Sequence, residues 1–337
     1  MERMTTGTAP LDEASPRSSG LSAREVEEAG RLGAALVANV GTVIRGKHDV
    51  ARACVMALLA GGHVILEDFP GVGKTMLAKA LAQSVDCRFS RIQFTPDLLP
   101  SDVTGVNIFN QKTGEFEFRP GPIFANVVLA DEINRASPKT QSALLECMQE
   151  RQATIDSVTH PIAPPFMVIA TQNPIEYEGT FPLPEAQLDR FMIRLSVGYP
   201  SPSEEAAMLL DQTSGDPLAE LRPVIDAARL LDLVEVTRRV HSAPAIRAYV
   251  VALAEASRTD SDLYLGASPR AGIALLRAAQ ASALLDGRDY VTPQDVKSLA
   301  TRVLSHRIIL SPDGRAHGRS TADVVRRLLE SVPVPTG

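Results

Sequence analysis

Short apolar runs alternate with amphipathic segments through the first part of the chain. Four runs have the length and the largely apolar composition of buried strands, namely 63–66, 127–130, 166–170 and 191–195. The segment after the first run places Leu77, Leu81 and Val85 on one face of a helix. Buried strands that alternate with helices predict a parallel sheet covered on both faces.

Two stretches interrupt this alternation and predict β-hairpins inserted into the α/β core, at 105–118 and 153–162. The alternation in the first hairpin predicts one apolar face made of four side chains: Val106, Ile108, Phe116 and Phe118. Such a face either contacts another protein or packs against the core of its own chain.

Helix-start signals replace the strand signals after residue 198. Ser201-Pro202-Ser203-Glu204 and Thr292-Pro293-Gln294-Asp295 each combine an N-cap residue, a proline at the first helical position and an acidic residue in the first turn. We therefore expect a disordered tail, an α/β domain, a helical domain and a C-terminal extension, at 1–20, 21–198, 199–310 and 311–337.

The composition is that of a globular chain. Its 337 residues are 45% hydrophobic and 22% charged, which allows two domains with cores of their own. No apolar run reaches the roughly 20 residues that a bilayer span needs. Acidic side chains stand in residues 1–20, where a signal peptide has its apolar segment. We therefore expect no membrane span and a cytoplasmic location.

Charge and cysteine usage narrow the function further. A formal net charge of −6 argues against a chain whose main task is to hold nucleic-acid backbones. Six arginines near the C-terminus are interpreted as a solvated face: Arg302, Arg307, Arg315, Arg319, Arg326 and Arg327. Cys54, Cys87 and Cys147 lack metal-ligand spacing and are interpreted as reduced, buried thiols.

A glycine-containing turn, Asp68-Phe69-Pro70-Gly71-Val72-Gly73-Lys74-Thr75, joins the first strand to the first helix after it. It matches a phosphate-binding loop except that Asp68 stands in place of the first glycine. Backbone N–H groups, the helix dipole and Lys74 are expected to bind phosphate, and Thr75 is expected to bind Mg²⁺. Seven residues are predicted to contact the nucleotide: Pro70, Gly71, Val72, Gly73, Lys74, Thr75 and Met76. The alternative is an ordinary helix start.

Polar residues follow two further buried strands. Asp131 and Glu132 end one strand, where Asp131 is expected to hold Mg²⁺ and Glu132 to orient and deprotonate the attacking water. Asn173 follows the next strand, and its amide is expected to position water or a phosphate oxygen. Taken alone, Asp131 and Glu132 would fit the solvated end of a strand, and Asn173 would fit a turn. Together with a phosphate loop upstream they predict one catalytic crevice.

The order of these motifs resembles the MoxR family of AAA+ ATPases. The resemblance rests on the phosphate loop, on Asp131–Arg135 (DEINR), on Asn173 and on Glu185–Phe191 (EAQLDRF), and it extends from about Leu36 to Leu310. It implies a P-loop AAA+ parallel-sheet core with inserted hairpins, followed by an α-helical lid, with ATP and Mg²⁺ bound between the two. The hairpins resemble the inserts that mark this branch, and in related rings these face the central pore.

The resemblance implies roles for three residues outside the loop and the acid pair. Asn173 matches sensor 1, Arg190 matches the arginine finger and Arg270 matches sensor 2. Arg270 also has an argument of its own, because Ser268 and Pro269 predict a helix start there. A cation in the first turn is disfavoured by about 0.3–1 kcal/mol unless a phosphate lies nearby.

The finger assignment leaves alternatives open. Arg194 and Arg135 are close enough in sequence to compete with Arg190 for this role, and Arg190 has a structural alternative in which it pairs with Asp189. An arginine finger acts on the ATP of a neighbouring subunit. The resemblance therefore implies a homo-oligomeric ring, usually a hexamer in this family.

These patterns predict an ATP hydrolase, which converts ATP and water into ADP and phosphate. The energy released is expected to drive the remodelling, assembly or activation of other proteins. The resemblance implies a client protein and, in many relatives, a von Willebrand factor A domain partner. One alternative is a nucleic-acid motor or loader with the same core, which the acidic net charge disfavours. Another is a nucleotide-gated scaffold without turnover, which Glu132 disfavours.

Overall fold

The computed structural model describes residues 20–69, 71–173, 180–206, 208 and 215–335. The strands are β1 (Val64–Glu67), β2 (Phe89–Gln93), β3 (Gly105–Asn110), β4 (Glu115–Pro120), β5 (Val127–Asp131), β6 (Gln152–Ile155), β7 (Val158–Pro161), β8 (Met167–Gln172), β9 (Ile193–Leu195), β10 (Leu263–Leu265) and β11 (Ile309–Leu310). The helices are α1 (Ala23–Val43), α2 (His48–Leu59), α3 (Lys74–Ser84), α4 (Pro100–Thr104), α5 (Pro138–Glu150), α6 (Glu185–Leu188), α7 (Pro217–Glu220), α8 (Ala227–Arg239), α9 (Pro244–Thr259), α10 (Pro269–Leu285), α11 (Pro293–Leu304), α12 (Pro312–Ala316) and α13 (Thr321–Ser331).

A parallel sheet of five strands, in the order β2-β5-β8-β1-β9, forms the centre of the first domain. All its pairings are parallel, so the carboxyl ends of β5, β8 and β1 lie side by side at one edge. This confirms the predicted parallel core. Strand β2 was not predicted, because this edge strand holds Arg91 and Gln93 and a single buried residue, Ile92, instead of a continuous apolar run.

Helices cover the sheet on both faces, which explains the continuous apolar runs of its inner strands. Val64 and Leu66 of β1 pack in a cluster with residues of α1, α2 and α3. Ile65 points to the opposite face and packs in a second cluster with residues of α5. The helical face predicted after β1 is fully buried in the first cluster.

Two antiparallel hairpins extend from this domain, as predicted, with β3 paired to β4 and β6 paired to β7. The hairpins contact each other. Asn107 Nδ2 donates a hydrogen bond to Asp156 Oδ2 at 2.8 Å. The rings of Phe118 and His160 stack with their centroids 3.9 Å apart. The base of the first hairpin is therefore held by the second.

The apolar face predicted for the first hairpin is wrong. Phe116 lies opposite Phe109 in the observed register, whereas Val106 and Ile108 lie opposite charged residues. Directly opposed residues share a face, so Val106 and Ile108 are on the other face from Phe116 and Phe118. Alternation assigns faces within a strand, but the register between two strands depends on where the turn is placed.

The second domain is helical, and its helix starts have the predicted caps. The Ser201 N–H donates to a Glu204 carboxylate oxygen at 2.7 Å, and the Glu204 N–H donates to Ser201 Oγ at 3.3 Å. Thr292 and Asp295 form the same reciprocal pair at the start of α11. Ser268 caps α10 through a hydrogen bond from the Ala271 N–H.

The C-terminal segment 311–335 packs against this domain. Helix α13 packs against α9 and α11. Arg327 of α13 forms ion pairs with Asp260 and Asp262, which follow α9, at 2.7 and 2.6 Å. The segment expected to be a C-terminal extension thus lies against the helical domain.

Arg307 also corrects the expectation of a solvated arginine face, because it is only 5% exposed. Its Nε donates to Asp189 Oδ1 at 2.8 Å, and its Nη2 donates to the Phe191 carbonyl at 2.7 Å. Burial lowers the pKa of Arg307 to about 10, which the charge of Asp189 opposes. This buried ion pair joins the helical domain to the segment before β9.

The three cysteines are free thiols, with Cys54 and Cys147 buried and Cys87 half-buried. Burial raises the pKa of the Cys54 thiol to about 12. Across the described part of the chain, no helix is both long and apolar enough to cross a membrane.

Candidate functional site

The loop between β1 and α3 has a backbone suited to phosphate binding. Gly71 and Gly73 have φ angles of +84° and +90°, a region that residues with a Cβ rarely adopt. Gly73 is the N-cap of α3, so the N–H groups of the first helical turn point towards the loop. Lys74 Nζ donates to the Asp68 carbonyl at 3.0 Å, which folds the side chain back along the loop. Of the predicted contact residues, Pro70 lies outside the described residues.

Asp68 occupies the position where the generic loop has a glycine, and it is 3% exposed. Its Oδ2 accepts hydrogen bonds from the Gly198 N–H at 2.8 Å, from Ser196 Oγ at 3.1 Å and from the Val197 N–H. The side chain therefore ties the phosphate loop to the segment after β9. That segment leads into the second domain.

A cavity of about 300 Å³ adjoins the loop. Val72 and Met76, both among the predicted contact residues, line it. The other walls come from the end of α1 and from the start of the second domain, among them Ile44, Tyr199, Met208 and Pro217. Mainly apolar walls beside a phosphate-binding loop suit a nucleotide base. Sequence reasoning missed these four residues, because they are ordinary apolar side chains far from the loop in sequence.

The carboxyl end of β5 brings two acidic residues to the same edge as the loop. Thr171 of the neighbouring strand β8 donates from its Oγ1 to Asp131 Oδ1 at 2.6 Å. Arg91 donates from Nη2 to Asp131 Oδ2 at 2.6 Å. Mg²⁺ prefers oxygen ligands and usually keeps waters and substrate phosphates. The Thr75 hydroxyl and the Asp131 carboxylate supply oxygen ligands of this kind and fit Mg²⁺.

Glu132 is held by two side chains that the sequence analysis did not connect to it. Gln93 Nε2 and Arg135 Nη1 both donate to Glu132 Oε2, at 2.8 and 3.0 Å. Glu132 itself has a φ of +56°, which is uncommon for a residue with a Cβ. The Thr171 hydroxyl accepts the Glu132 N–H at 2.9 Å. Two donors thus hold the carboxylate at the edge of the sheet, and the bond to Thr171 holds the backbone of the same residue.

Asn173 follows β8, between the loop after β1 and the acidic residues of β5. It is 9% exposed. The structure therefore places the phosphate loop, Asp131, Glu132 and Asn173 at neighbouring carboxyl ends of the sheet, where the crevice of an open α/β sheet binds its ligand.

Arg190 and Arg270 lie at the other end of the sheet. Both line a cavity of about 310 Å³ whose wall includes Gly62, the second residue before β1. The phosphate loop instead follows β1, a strand of four residues that spans about 13 Å. The structure does not bring Arg270 to the phosphate loop of its own chain. Its assignment as a phosphate-binding residue stays a prediction.

The alternatives for the finger residue are engaged at the loop end of the sheet. Arg194 of β9 pairs with Glu67 at 3.1 Å. Arg135 pairs with Glu132 at 3.0 Å. The residue that pairs with Asp189 is Arg307 and not Arg190. Arg190 Nη1 instead donates to the Leu145 carbonyl at 2.5 Å.

Comparison with protein families matches the model of the ATPase family associated with various cellular activities (AAA) to residues 63–193. The AAA lid domain model matches residues 255–328. The second match extends past residue 310, in agreement with the packing of α13 on the helical domain.

Relatives cover nearly the whole chain. Chaperone MoxR1 of Mycobacterium tuberculosis is 42% identical over 97% of this chain and 87% of its own length. Protein MoxR of Methylorubrum extorquens is 32% identical over 88% of this chain and 93% of its own. An uncharacterized protein of Bacillus subtilis, YeaC, is 53% identical over 89% and 93%. A solved structure of a candidate ATPase from Cytophaga hutchinsonii superposes with a TM-score of 0.86 at 39% identity and covers 93% of this chain and 99% of that one.

Proposed function

The chain belongs to the MoxR family of AAA ATPases, and on that premise we propose that it hydrolyses ATP with Mg²⁺ in order to remodel, assemble or activate other proteins. The observation that carries this proposal is the meeting of the phosphate loop, the acid pair and Asn173 at one edge of the sheet. A relative named as a chaperone, MoxR1 of Mycobacterium tuberculosis, supports the assignment of proteins as clients.

Each residue of the crevice has a separate task in this proposal. Lys74 and the backbone of the loop bind the phosphates. Thr75 and Asp131 hold Mg²⁺, which neutralises charge on the phosphate oxygens when it is bound. Glu132 orients the attacking water and accepts its proton, and Asn173 positions the water or a phosphate oxygen. The hydrogen bonds from Gln93 and Arg135 orient the Glu132 carboxylate.

We further propose that the chain works as a ring in which Arg190 acts on the nucleotide of a neighbouring subunit. Its position at the end of the sheet opposite the phosphate loop supports this arrangement. A contact between two different ends of the same molecule is heterologous, and such contacts form a ring when the rotation between subunits closes. Six subunits are the expectation for this family.

The client is proposed to contact the first hairpin. Phe109 and Phe116 at its outer end are 51% and 72% exposed, and their rings meet edge to face with centroids 5.3 Å apart. Aromatic side chains are enriched in protein interfaces, which supports this assignment. A partner with a von Willebrand factor A domain remains a proposal from the family resemblance. ATP and a reducing environment for the free thiols are both available in the cytoplasm, which is the proposed location.

Steady-state release of phosphate from ATP and Mg²⁺ tests this function, with Lys74→Ala as the inactive reference. Turnover of the wild-type protein that the reference lacks supports an enzyme, and binding without turnover supports a nucleotide-gated scaffold instead.

The in-trans role of Arg190 is tested by mixing Arg190→Ala with Lys74→Ala subunits. One keeps a complete nucleotide site and the other a complete finger, so mixed rings regain activity that neither variant has alone. If subunits are shown to exchange and no activity returns, Arg190 acts within its own subunit.

A further inference from the structure

The cavity that contains Arg190 and Arg270 is lined by two additional arginines with no assigned role. Arg151 and Arg277 reach it from different elements of the fold. Arg151 is the C-cap of α5, and Arg277 lies two helical turns after Arg270 on α10. The cavity is about 310 Å³ and combines elements of both domains.

The local backbone structure directs the arginine side chains into this cavity. Residues 270, 273, 274 and 277 of α10 all line the cavity, at the spacing of a single helical face. Arg151 has a φ of +52°, which ends α5. Its Nη2 lies 3.3 Å from the Gly61 carbonyl, at the amino end of β1. Arg151 and Arg277 are both exposed, so the cavity opens to a partner molecule.

The positive charge in the cavity lacks matching carboxylates. Within the described residues, none of Arg151, Arg190, Arg270 and Arg277 forms an ion pair, and the fifth arginine of the cavity, Arg307, pairs with Asp189. Burial, and then the charge of Arg270, lowers the pKa of Arg190, while Glu146 and Glu150 act in the opposite direction. Burial, and then the charges of Arg238 and Arg277, lowers the pKa of Arg151. A multivalent anion would relieve this repulsion.

We propose that Arg151 and Arg277 complete, with Arg190 and Arg270, a phosphoryl-anion site that binds the triphosphate of ATP held by the phosphate loop of a neighbouring subunit. Guanidinium groups fit this ligand because they bind phosphate oxygens through paired N–H donors. Four arginines from three segments surround a charged group more completely than a single finger does. The inference rests on the proposed function, because the phosphate comes from a subunit that binds ATP.

The test replaces each arginine by a glutamine, which removes the charge and keeps much of the side-chain length. Arg151→Gln and Arg277→Gln are compared with Arg247→Gln, an exposed arginine of α9 outside the cavity. Each cavity variant is expected to bind ADP in its own phosphate loop with wild-type affinity. Its ATP turnover is expected to fall about 10- to 100-fold, the effect of losing one charge-assisted contact in the transition state. The Arg247→Gln control keeps wild-type turnover.

Mixing experiments separate action on a neighbour from a structural role. Lys74→Ala subunits bring intact arginines, so mixing them with Arg151→Gln or Arg277→Gln is expected to restore part of the lost turnover. Mixing Arg190→Ala with Lys74→Ala serves as the positive control. If that mixture regains turnover but the Arg151→Gln or Arg277→Gln mixture does not, the proposal is overturned and the arginine acts within its own subunit. Turnover within twofold of the control overturns it as well, while the proposed function stands. No turnover in the wild-type protein overturns both.

A free anion is the other source of the same chemistry. Inorganic phosphate is therefore titrated into Lys74→Ala protein by calorimetry, with the double variant Lys74→Ala and Arg151→Gln as the control. No saturable binding supports the nucleotide of a neighbour as the ligand. Saturable binding that requires Arg151 assigns the site to free phosphate and overturns the proposal.

Discussion

The carboxylate of Asp68 accepts a hydrogen bond from the backbone N–H of Gly198 at 2.8 Å, although the two residues are 130 positions apart in the chain. This contact joins the phosphate loop to the segment that enters the second domain. The segment also supplies Tyr199, whose ring stacks on Phe69 with centroids 5.5 Å apart. The acidic residue in the first position of the loop thus acts as a tie between the site and the lid.

Asp68→Asn is expected to lower the free energy of unfolding by about 1–3 kcal/mol, because the buried N–H donors lose their charged acceptor. Ser196→Ala, which removes only the hydroxyl donor, is expected to cost about 0.5–1.5 kcal/mol. Urea denaturation of the two variants measures both effects. Equal stability of Asp68→Asn and the wild-type protein would show that the tie contributes little.

Glu132→Gln and Lys74→Ala are expected to fail in different ways. Glu132→Gln keeps the loop and Asp131, so it should bind ATP and Mg²⁺ at near wild-type affinity and hardly turn over. Lys74→Ala removes a phosphate contact and should lose affinity itself. Calorimetric binding and turnover, measured for both variants, check this. If binding and turnover fall in parallel in both, the roles given to these residues are wrong.

We expect low pH to destabilise the fold because of His63, which is buried just before β1. His63 Nδ1 accepts the Val168 N–H at 2.9 Å, so the neutral ring is left to donate from Nε2 to the Met148 carbonyl, at 3.1 Å. Burial lowers its pKa to about 4, which the bond to Met148 opposes and the charge of Arg151 reinforces. Between the unfolded pKa and the folded one, the unfolded chain binds the extra proton, so stability falls as the pH falls.

We expect this histidine to account for a loss of about 3 kcal/mol between pH 6.5 and pH 4. His63→Gln should flatten the pH dependence of the free energy of unfolding over that range. His48→Gln, at an exposed histidine, is the control and should leave the slope as it is in the wild-type protein. An unchanged slope in His63→Gln would assign the acid sensitivity to other groups.

The sheet and the crevice were predictable because their signals are local. Each inner strand is a continuous apolar run, and the polar residues of the site follow directly after these runs, as Asp131 and Asn173 do. In a parallel sheet that order is sufficient to bring them to one edge. The phosphate loop was predictable from its glycines, because the backbone geometry of this motif requires glycine at those positions.

The remaining features depend on contacts between distant segments. Gln93 and Arg91 reach the acid pair only because β2 pairs with β5, and nothing in either segment specifies that pairing. Arg270 has the helix start that was expected, yet the packing of α10 carries it to the opposite end of the sheet. From the sequence alone, Arg307 is interpreted as a surface charge. Its burial depends on the ion pair with Asp189, which the packing of the two domains creates.

Arg307→Met should destabilise the protein strongly, because it leaves Asp189 and several main-chain carbonyls without their donor. Removing one partner of a buried ion pair costs about 3–5 kcal/mol. Arg326→Met, at an exposed arginine that pairs with Asp323, is the matched control and should change stability by less than about 1 kcal/mol. Urea denaturation measures both. Similar stability of the two variants would show that the buried pair is not needed to join the domains.

The last prediction concerns the exposed ring pair at the outer end of the first hairpin. Replacing Phe109 and Phe116 by serine in a Glu132→Gln background should leave folding and ATP binding intact, because both rings are largely exposed and lie far in sequence from the phosphate loop. The same change removes the largest apolar contacts that this hairpin offers a client. Capture of client proteins on the ATP-bound variant should therefore fall at least tenfold, as measured by quantitative mass spectrometry of what stays bound.

Tyr264 provides the control, since it is 79% exposed in β10 of the other domain and its replacement by serine removes a comparable ring. A photo-crosslinking residue at Lys112, in the turn between the two strands, should label the same client directly. If the serine variant captures as much client as its parent and the crosslinker labels nothing in cells that express that client, the hairpin does not contact clients. Its exposed rings would then have to be explained by contacts between subunits of the ring.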